Sequence, residues 1–367
     1  MKKLLFLSAA NSIHTVKWVN SLSNKYEVHL VYCKNHAPSI HKISDKVCLH
    51  ELKFKTPYGY YLNCIELKRI YNKIKPDIIN VHYASGYGTL ARVSKLPNVI
   101  LSVWGSDVYD FPNESKIKRN IVYKNLKYAS RLASTSNVMA KEVNRQFPDL
   151  KKDIYITPFG VDTNKFKKMN TKKTDKYIIG NIKALNPKYG IKYLILGVND
   201  FITKLKKDKK YFENIECHIY GDGDQKEELL ELVKELKLEN IVSFKGRIPN
   251  DEVPKVLNNF DVFCATSVIN SESFGVAVVE AMACEVPVIA TKIDGFSEVM
   301  VDNLTGLMVE KENYKSISKA LYYMYNNKNN CVKFGKNGRK RVLDNYDWDK
   351  NVIEMEDVYE MKNKGLK

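Results

Sequence analysis

The chain has 367 residues, 44% apolar and 28% charged, which is enough for two domains with filled cores and excludes a disordered polypeptide. Its net charge of +17 is unevenly placed: residues 1–160 hold 25 Lys and Arg against 11 Asp and Glu, and residues 161–367 hold 34 against 31. A solvated lysine-rich surface is the default reading of the basic half. The lack of a zinc-finger or RNA-binding signature argues against nucleic acid, and an anionic membrane surface or a pyrophosphate-bearing lipid is the alternative partner.

In chain order, Met1-Lys2-Lys3 and the short apolar run behind it resemble a signal peptide. Polar Asn11, Ser12 and His14 follow too soon, so the run reads better as a first strand. No stretch reaches the roughly 18 apolar residues of a membrane span. The seven cysteines are scattered, with no Cys-x-x-Cys pair and no zinc-like His spacing, as in a cytosolic protein with reduced thiols and no metal. Apolar runs at 4–7, 28–32, 78–82, 99–103 and 132–135 alternate with helical patterns. A second series follows at 177–182, 216–220, 242–244, 262–265, 286–290 and 307–309. This alternation predicts an α/β protein of two doubly wound parallel sheets, joined by a polar linker over 167–176. In such sheets ligands sit at the carboxyl ends of strands, with the cleft between two facing units as the expected site.

The chemistry-bearing residues follow strands as that rule requires. Ser12 or Asn11 would cap a helix holding Trp18 and could face a ligand. His82 opens a glycine-rich loop after the third run, and Trp104-Gly105-Ser106-Asp107 follows the fourth, where Asp107 is the candidate to accept a proton or bind a hydroxyl. Lys183 and Lys188 follow the run at 177–182, where cations could neutralise a leaving diphosphate. Gly221-Asp222-Gly223-Asp224 reads as a structural turn. Gly246-Arg247-Ile248-Pro249 could place main chain, with Ile248, against a base.

The most informative segment is Glu272-Ser273-Phe274-Gly275-Val276-Ala277-Val278-Val279-Glu280. The absence of helix breakers after Gly275 predicts a buried helix over 276–283, with Ser273, Phe274 and Gly275 at its N-terminus. Free amides and the helix dipole there favour an anionic group such as a diphosphate. At about 1.5 Å per residue, Glu280 falls roughly 7 Å past the anion site, with Glu272 on its other side. Hydroxyls of a sugar, a diphosphate and hydroxyls of a ribose have the same layout. Two solvent-facing glutamates would be the plain alternative, but the apolar neighbours of Glu280 demand a partner for it.

These motifs, with Asn11 to Trp18, Pro158-Phe159-Gly160-Val161-Asp162 and the stretch to Pro287, resemble the retaining glycosyltransferases of family 4. The resemblance implies a GT-B fold, two Rossmann-like domains facing across a cleft. It implies an acceptor-binding domain at 1–165, a nucleotide-sugar-binding domain at 166–345, and a segment at 346–367, beginning Tyr346-Asp347-Trp348, that returns to the first domain. It further implies that Glu272 contacts the donor sugar, that Phe274, Gly275 and Val276 line the sugar-diphosphate site, that Glu280 binds the ribose, and that Lys183 and Lys188 hold the diphosphate. Three positions depart from the family pattern. Trp104 replaces a histidine, Ala9-Ala10-Asn11-Ser12 replaces a loop with paired glycines, and Glu285 stands where a glycine is usual.

The expected function is a metal-independent transfer, with retention, of a sugar from a nucleotide diphosphate to an acceptor hydroxyl. Uridine is the first choice of base and guanosine the second. Glu272, Lys183 and Asp107 are the catalytic candidates. Lys188, Ser273, Phe274, Gly275, Val276, Glu280 and Ile248 join Lys183 on the donor, and Ser12, His82 and Trp104 bind the acceptor. The acceptor would be a glycan or a polyprenyl-diphosphate-linked glycan of bacterial surface polysaccharide assembly, met in the cytoplasm or at the inner face of the membrane. A sugar-nucleotide epimerase or hydrolase, or a non-catalytic sugar-nucleotide-binding protein, are the alternatives.

Overall fold

The central strands of both halves are apolar runs buried on both faces, which only a parallel sheet covered by helices on either side can accommodate. A computed structural model describes residues 1–170 and 175–361. The middle of the expected linker, 171–174, and the end of the expected terminal segment, 362–367, lie outside the described residues. The chain divides into two units, Met1–Phe159 with Asp349–Lys367, and Gly160–Trp348.

In the first unit β1 (Lys3–Leu7), β2 (Glu27–Cys33), β3 (Cys48–Leu52), β4 (Ile78–His82), β5 (Val99–Val103), β6 (Arg131–Ser134) and β7 (Ile154–Ile156) form one parallel sheet in the order β3-β2-β1-β4-β5-β6-β7. β1 pairs with β2 on one side and β4 on the other, so the strand order reverses there. Leu5, Val31, Leu101, Val122 and Met139 belong to its core. From Asp349 onward the helix Trp348–Glu360 belongs to this unit: Tyr359 donates its hydroxyl to Asn80 Oδ1 at 3.0 Å, and Glu356 meets Lys25 at 2.6 Å.

In the second unit β8 (Tyr177–Ile182), β9 (Ile215–Tyr220), β10 (Val242–Gly246), β11 (Val262–Ala265), β12 (Val288–Thr291) and β13 (Gly306–Val309) are ordered β10-β9-β8-β11-β12-β13. The reversal falls between β8 and β11, which pair in parallel. Ile179, Leu194, Phe201, Ile219 and Leu321 belong to its core. All of the strands expected from apolar runs are present. β3 and β7 are additions at the two edges of the first sheet: the one buried residue of β3 is Leu52, and the apolar run of β7 is only three half-buried residues long.

Candidate functional site

β8 ends at Ile182, and Lys183 leaves the sheet on the strand beside which the order reverses. Two backbone bonds fix its loop: Lys183 donates to the Tyr220 carbonyl at 2.9 Å and Leu185 to the Asp222 carbonyl at 3.1 Å. The glycine-rich turn at 221–224 is therefore a brace for the lysine loop. From β11 the chain runs to Glu272, and Lys183 Nζ meets Glu272 Oε2 at 2.7 Å with the side chains 24% and 13% exposed. The two loops are joined again where Thr266 donates its hydroxyl to the Tyr189 carbonyl at 3.1 Å and Val268 its amide to the Lys188 carbonyl at 2.9 Å.

Both loops end in a left-handed glycine that starts a helix. Gly190 (φ +62°) precedes Ile191–Lys207, and Gly275 (φ +77°) precedes Val276–Ala283, at the position the sequence predicts. Neither N-terminus has a side-chain cap, unlike the helices that begin after Ser115 and Asn313, where a side-chain oxygen accepts an amide. A glycine at these places takes the positive φ without strain and leaves the first amides open. Two positive helix ends therefore lie on the loops that hold Lys183 and Glu272, and together they favour an anion.

The charges reinforce this. Burial pulls the Lys183 ammonium down, but Glu272, Tyr189 and Glu280 outweigh it and leave its pKa above the ordinary lysine value. It stays protonated at neutral pH. The Tyr189 ring lies under both cations, 4.6 Å from Lys183 Nζ and 4.9 Å from Lys188 Nζ. Glu280 is buried in the helix Val276–Ala283 and close enough to act on Lys183. A narrow depression here is lined by Asn181, Lys183, Tyr189, Glu272 and Gly275. Asn181 donates to the Cys264 carbonyl at 2.8 Å, and its buried Oδ1 has no hydrogen-bond partner among the described residues.

Lys183, Glu272 and Gly275 thus come together, and Lys188, Ser273, Phe274, Val276 and Glu280 lie on the same two loops and helix. Ile248 does not join them; it follows the edge strand β10 and is half-buried. Three contributors escaped sequence reasoning. Tyr189 directly follows Lys188, and nothing in that order shows that its ring meets both ammonium groups. Asn181 is hidden inside a strand. Gly295 packs so closely that a β-carbon would lie 1.9 Å from the Glu272 carbonyl oxygen, and its position just after a strand was the available signal.

The first unit treats its strand ends differently. Asp107 is fully buried and accepts three main-chain amides, from Ala84 at 2.7 Å, Gly105 at 2.8 Å and Trp104 at 3.0 Å. Burial pushes its pKa up, and those amides only partly offset the shift. It ties the loops after β4 and β5 together. His82, also fully buried, shares a 2.8 Å bond between Nε2 and Asn80 Oδ1. Asn80 Nδ2 donates to the Ile100 carbonyl and Ser102, so Oδ1 is the acceptor and His82 carries its proton on Nε2. Burial, with help from His14, holds the His82 pKa well below the ordinary value. Its ring lies 4.4 Å from Phe6 and 4.6 Å from Trp104. Trp104 is half-buried and also contacts His14 and Phe159, which stack on each other at 4.2 Å. Ser12 occupies the cap position of the helix Ile13–Leu22, but its side chain makes no capping bond, contrary to expectation. The Ser8 and Thr15 hydroxyls pair instead, at 2.7 Å.

Comparison with known proteins bears on the family and the fold. Residues 162–341 match the family described as glycosyl transferases group 1, and residues 3–136 match glycosyl transferase 4-like. An uncharacterized glycosyltransferase of Methanocaldococcus jannaschii is 28% identical over 319 residues, covering 85% of this chain and 83% of that protein. The solved sucrose-phosphate synthase of Thermosynechococcus elongatus superposes with a TM-score of 0.82 at 17% identity, covering 98% of each chain. The structure of Anabaena HepE in complex with UDP gives 0.77 at 16% identity, covering 97% of this chain and 99% of that one. At such identities the likeness carries the fold, which is GT-B.

Proposed function

The chain belongs to the group 1, family 4-like glycosyltransferases of the GT-B fold, and from that membership we propose a transfer, with retention at the anomeric carbon, of a sugar from a nucleotide diphosphate to an acceptor hydroxyl. The observation that carries the donor assignment is the Lys183–Glu272 pair at 2.7 Å, set on the loops of two uncapped helix ends. The amides beyond Gly190 and Gly275, with Lys183 and Lys188, would take the diphosphate. As the sugar–oxygen bond breaks, charge grows on that phosphate, and cations already in place stabilise it without reorganising. In our reading the leaving phosphate then helps to deprotonate the acceptor hydroxyl on the same face of the sugar.

The ion pair also holds each partner ready for the other's ligand. When a diphosphate claims Lys183, Glu272 is left with a carboxylate free to accept sugar hydroxyls. Ser273, Phe274 and Val276 would line the sugar-diphosphate site, Glu280 would take the ribose, and Ile248 the base. UDP in HepE supports uridine as the base, with guanosine second. For Asp107 we propose a positioning role through its three amides in place of proton transfer. Ser12 and Trp104 would meet the acceptor, with His82 supporting Trp104 from beneath. The acceptor proposed is a glycan or polyprenyl-diphosphate-linked glycan of surface polysaccharide assembly. The chain would meet it in the cytoplasm, at an anionic membrane surface.

A thermal-shift panel of nucleotide diphosphate sugars tests the reading, since ligand at a hundred times its dissociation constant stabilises a fold by about 2.7 kcal/mol. The matching donor should raise the melting temperature of the wild type and not of Glu280→Ala. Donor binding and turnover by Glu280→Ala at the wild-type level would overturn the site. Donor consumption without a new glycoside would point instead to an epimerase or hydrolase.

A further inference from the structure

Between β3 and the helix Cys64–Ile74 the first unit turns apolar side chains outward. Tyr58, Leu62 and Ile65 are 77%, 56% and 64% exposed, and Phe54 and Tyr61 are exposed beside them. Positions 58, 61, 62 and 65 recur at helical spacing along the consecutive turns Gly59–Leu62 and Cys64–Ile74, so they share one face.

The segment that presents them is pinned. Fully buried Asn63 accepts the Phe54 amide at 3.0 Å and donates to the Phe54 carbonyl at 3.0 Å. Asn35 and Thr56 exchange two bonds of 2.8 Å, and the Lys53 amide donates to Glu66 at 3.0 Å. Tyr60 turns inward, its ring 5.4 Å from that of Tyr87. A contiguous apolar face held rigidly in water marks a surface made to be covered.

Charge identifies what covers it. Lys53, Lys55, Lys68, Arg69 and Lys73 are exposed around the face, and Glu66 is the one acidic residue in 53–73. Lys55, Lys68, Arg69 and Lys73 enter no ion pair among the described residues. On the other basic cluster, the helix Lys116–Tyr128, Lys118 pairs with Glu114 and the Arg119 guanidinium lies 5.1 Å from the Phe147 ring, while Lys116, Lys124 and Lys127 are exposed on a helix where only Ile117 and Tyr128 expose a large apolar side chain.

We propose that residues 53–73 dock the protein onto an anionic phospholipid bilayer, with Tyr58, Tyr61, Leu62 and Ile65 entering the interface and Lys55, Lys68, Arg69 and Lys73 meeting lipid phosphates. The proposal rests on the membrane partner of the functional reading and gives it a place on the molecule.

The test is co-sedimentation of the full chain with vesicles of phosphatidylglycerol and phosphatidylcholine, and with phosphatidylcholine alone, in the absence of donor. Three variants are compared with wild type: Tyr58→Ser/Leu62→Ser/Ile65→Ser, Lys68→Glu/Arg69→Glu, and Lys116→Glu/Lys124→Glu/Lys127→Glu. Anionic vesicles should capture the wild type, both 53–73 variants should lose about tenfold or more in partitioning, and the third should stay within about twofold. Unchanged circular dichroism and melting temperature show that the variants fold. Loss confined to the 116–127 variant would overturn the proposal, as would equal binding to neutral vesicles. Self-association that the apolar variant abolishes, without vesicle binding, would overturn it in favour of a second copy. Because no sugar nucleotide is used, a failed donor assignment leaves the vesicle result standing.

Discussion

Where the strand order of the second sheet reverses, an ammonium and a carboxylate meet at 2.7 Å with water still in reach. In the first sheet, a histidine at the end of β4, beside the reversal, and an aspartate after the next strand, β5, are sealed within the protein. The two sheets share a topology, and both carry polar residues at their strand ends. What differs is how those residues are satisfied. Asp107 spends its oxygens on three main-chain amides, and His82 is bonded to an asparagine that also holds the last helix through Tyr359. Among the described residues Lys183 and Glu272 have only each other as a direct ion pair, and a ligand with the right charge can separate them. The first arrangement builds shape, and the second holds charge in reserve for a small anion.

The largest expected effect is therefore at Lys183. Lys183→Ala should lower kcat/KM for donor turnover by about 10²–10³-fold, the cost of removing a preorganised charge at a developing anion. The melting temperature should change little, because Glu272 remains partly solvated. The contrast between the two regions fails if Asp107→Asn, at an unchanged melting temperature, costs as much activity as Lys183→Ala.

A second test uses protons. Unfolded His82 takes up a proton below its ordinary value of 6.5, whereas the folded protein holds it neutral to well below that pH. The unfolded state then binds more protons, so His82 costs no stability above pH 6.5 and destabilises the fold progressively as pH falls through the window between the two values. The slope contributed is about 1.4 kcal/mol per pH unit for one proton. Burial also lowers His36, His50 and His218, which add slope of the same sign. The informative quantity is the difference between wild type and His82→Gln in urea unfolding at pH 7 and pH 5. His82→Gln should lose less stability over that interval, and parallel curves would show that His82 is not sealed.

Much of this was readable in the chain. Buried parallel strands need long apolar runs, so every central strand announced itself, while edge strand β3 and the three-residue β7 did not. The helix Val276–Ala283 and its glycine were legible because Ala, Met and Val without a breaker leave few alternatives. Burial of Asp107 and His82 was not legible. A polar residue after a strand looks the same in sequence whether a ligand or the protein's own amides satisfy it. Tyr189 was equally hidden, because its place beneath the ammonium groups of Lys183 and Lys188 depends on the turn at Pro187–Tyr189.

The smallest effect separates glycines kept for a ligand from those kept for a turn. The helix Val276–Ala283 is bounded by left-handed residues at both ends, Gly275 at φ +77° and Glu285 at φ +59°. At the far end Val286 donates to the Ala281 carbonyl at 3.0 Å and Glu285 to the Met282 carbonyl at 3.0 Å, the closing pattern that glycine normally supports. A β-carbon in that conformation is strained, and glycine would relieve the strain while adding entropy to the unfolded chain. The balance favours Glu285→Gly by about 0.5–1 kcal/mol, measurable as a higher urea midpoint at constant m-value. Donor affinity should not move, since this end of the helix lies away from Lys183 and Glu272. At Gly275 the same backbone conformation serves the open amides, and Gly275→Ala should weaken donor binding as well as the fold. If Glu285→Gly altered donor affinity as much as Gly275→Ala did, the helix would be responding as one body, and its N-terminus could not be singled out as the anion site.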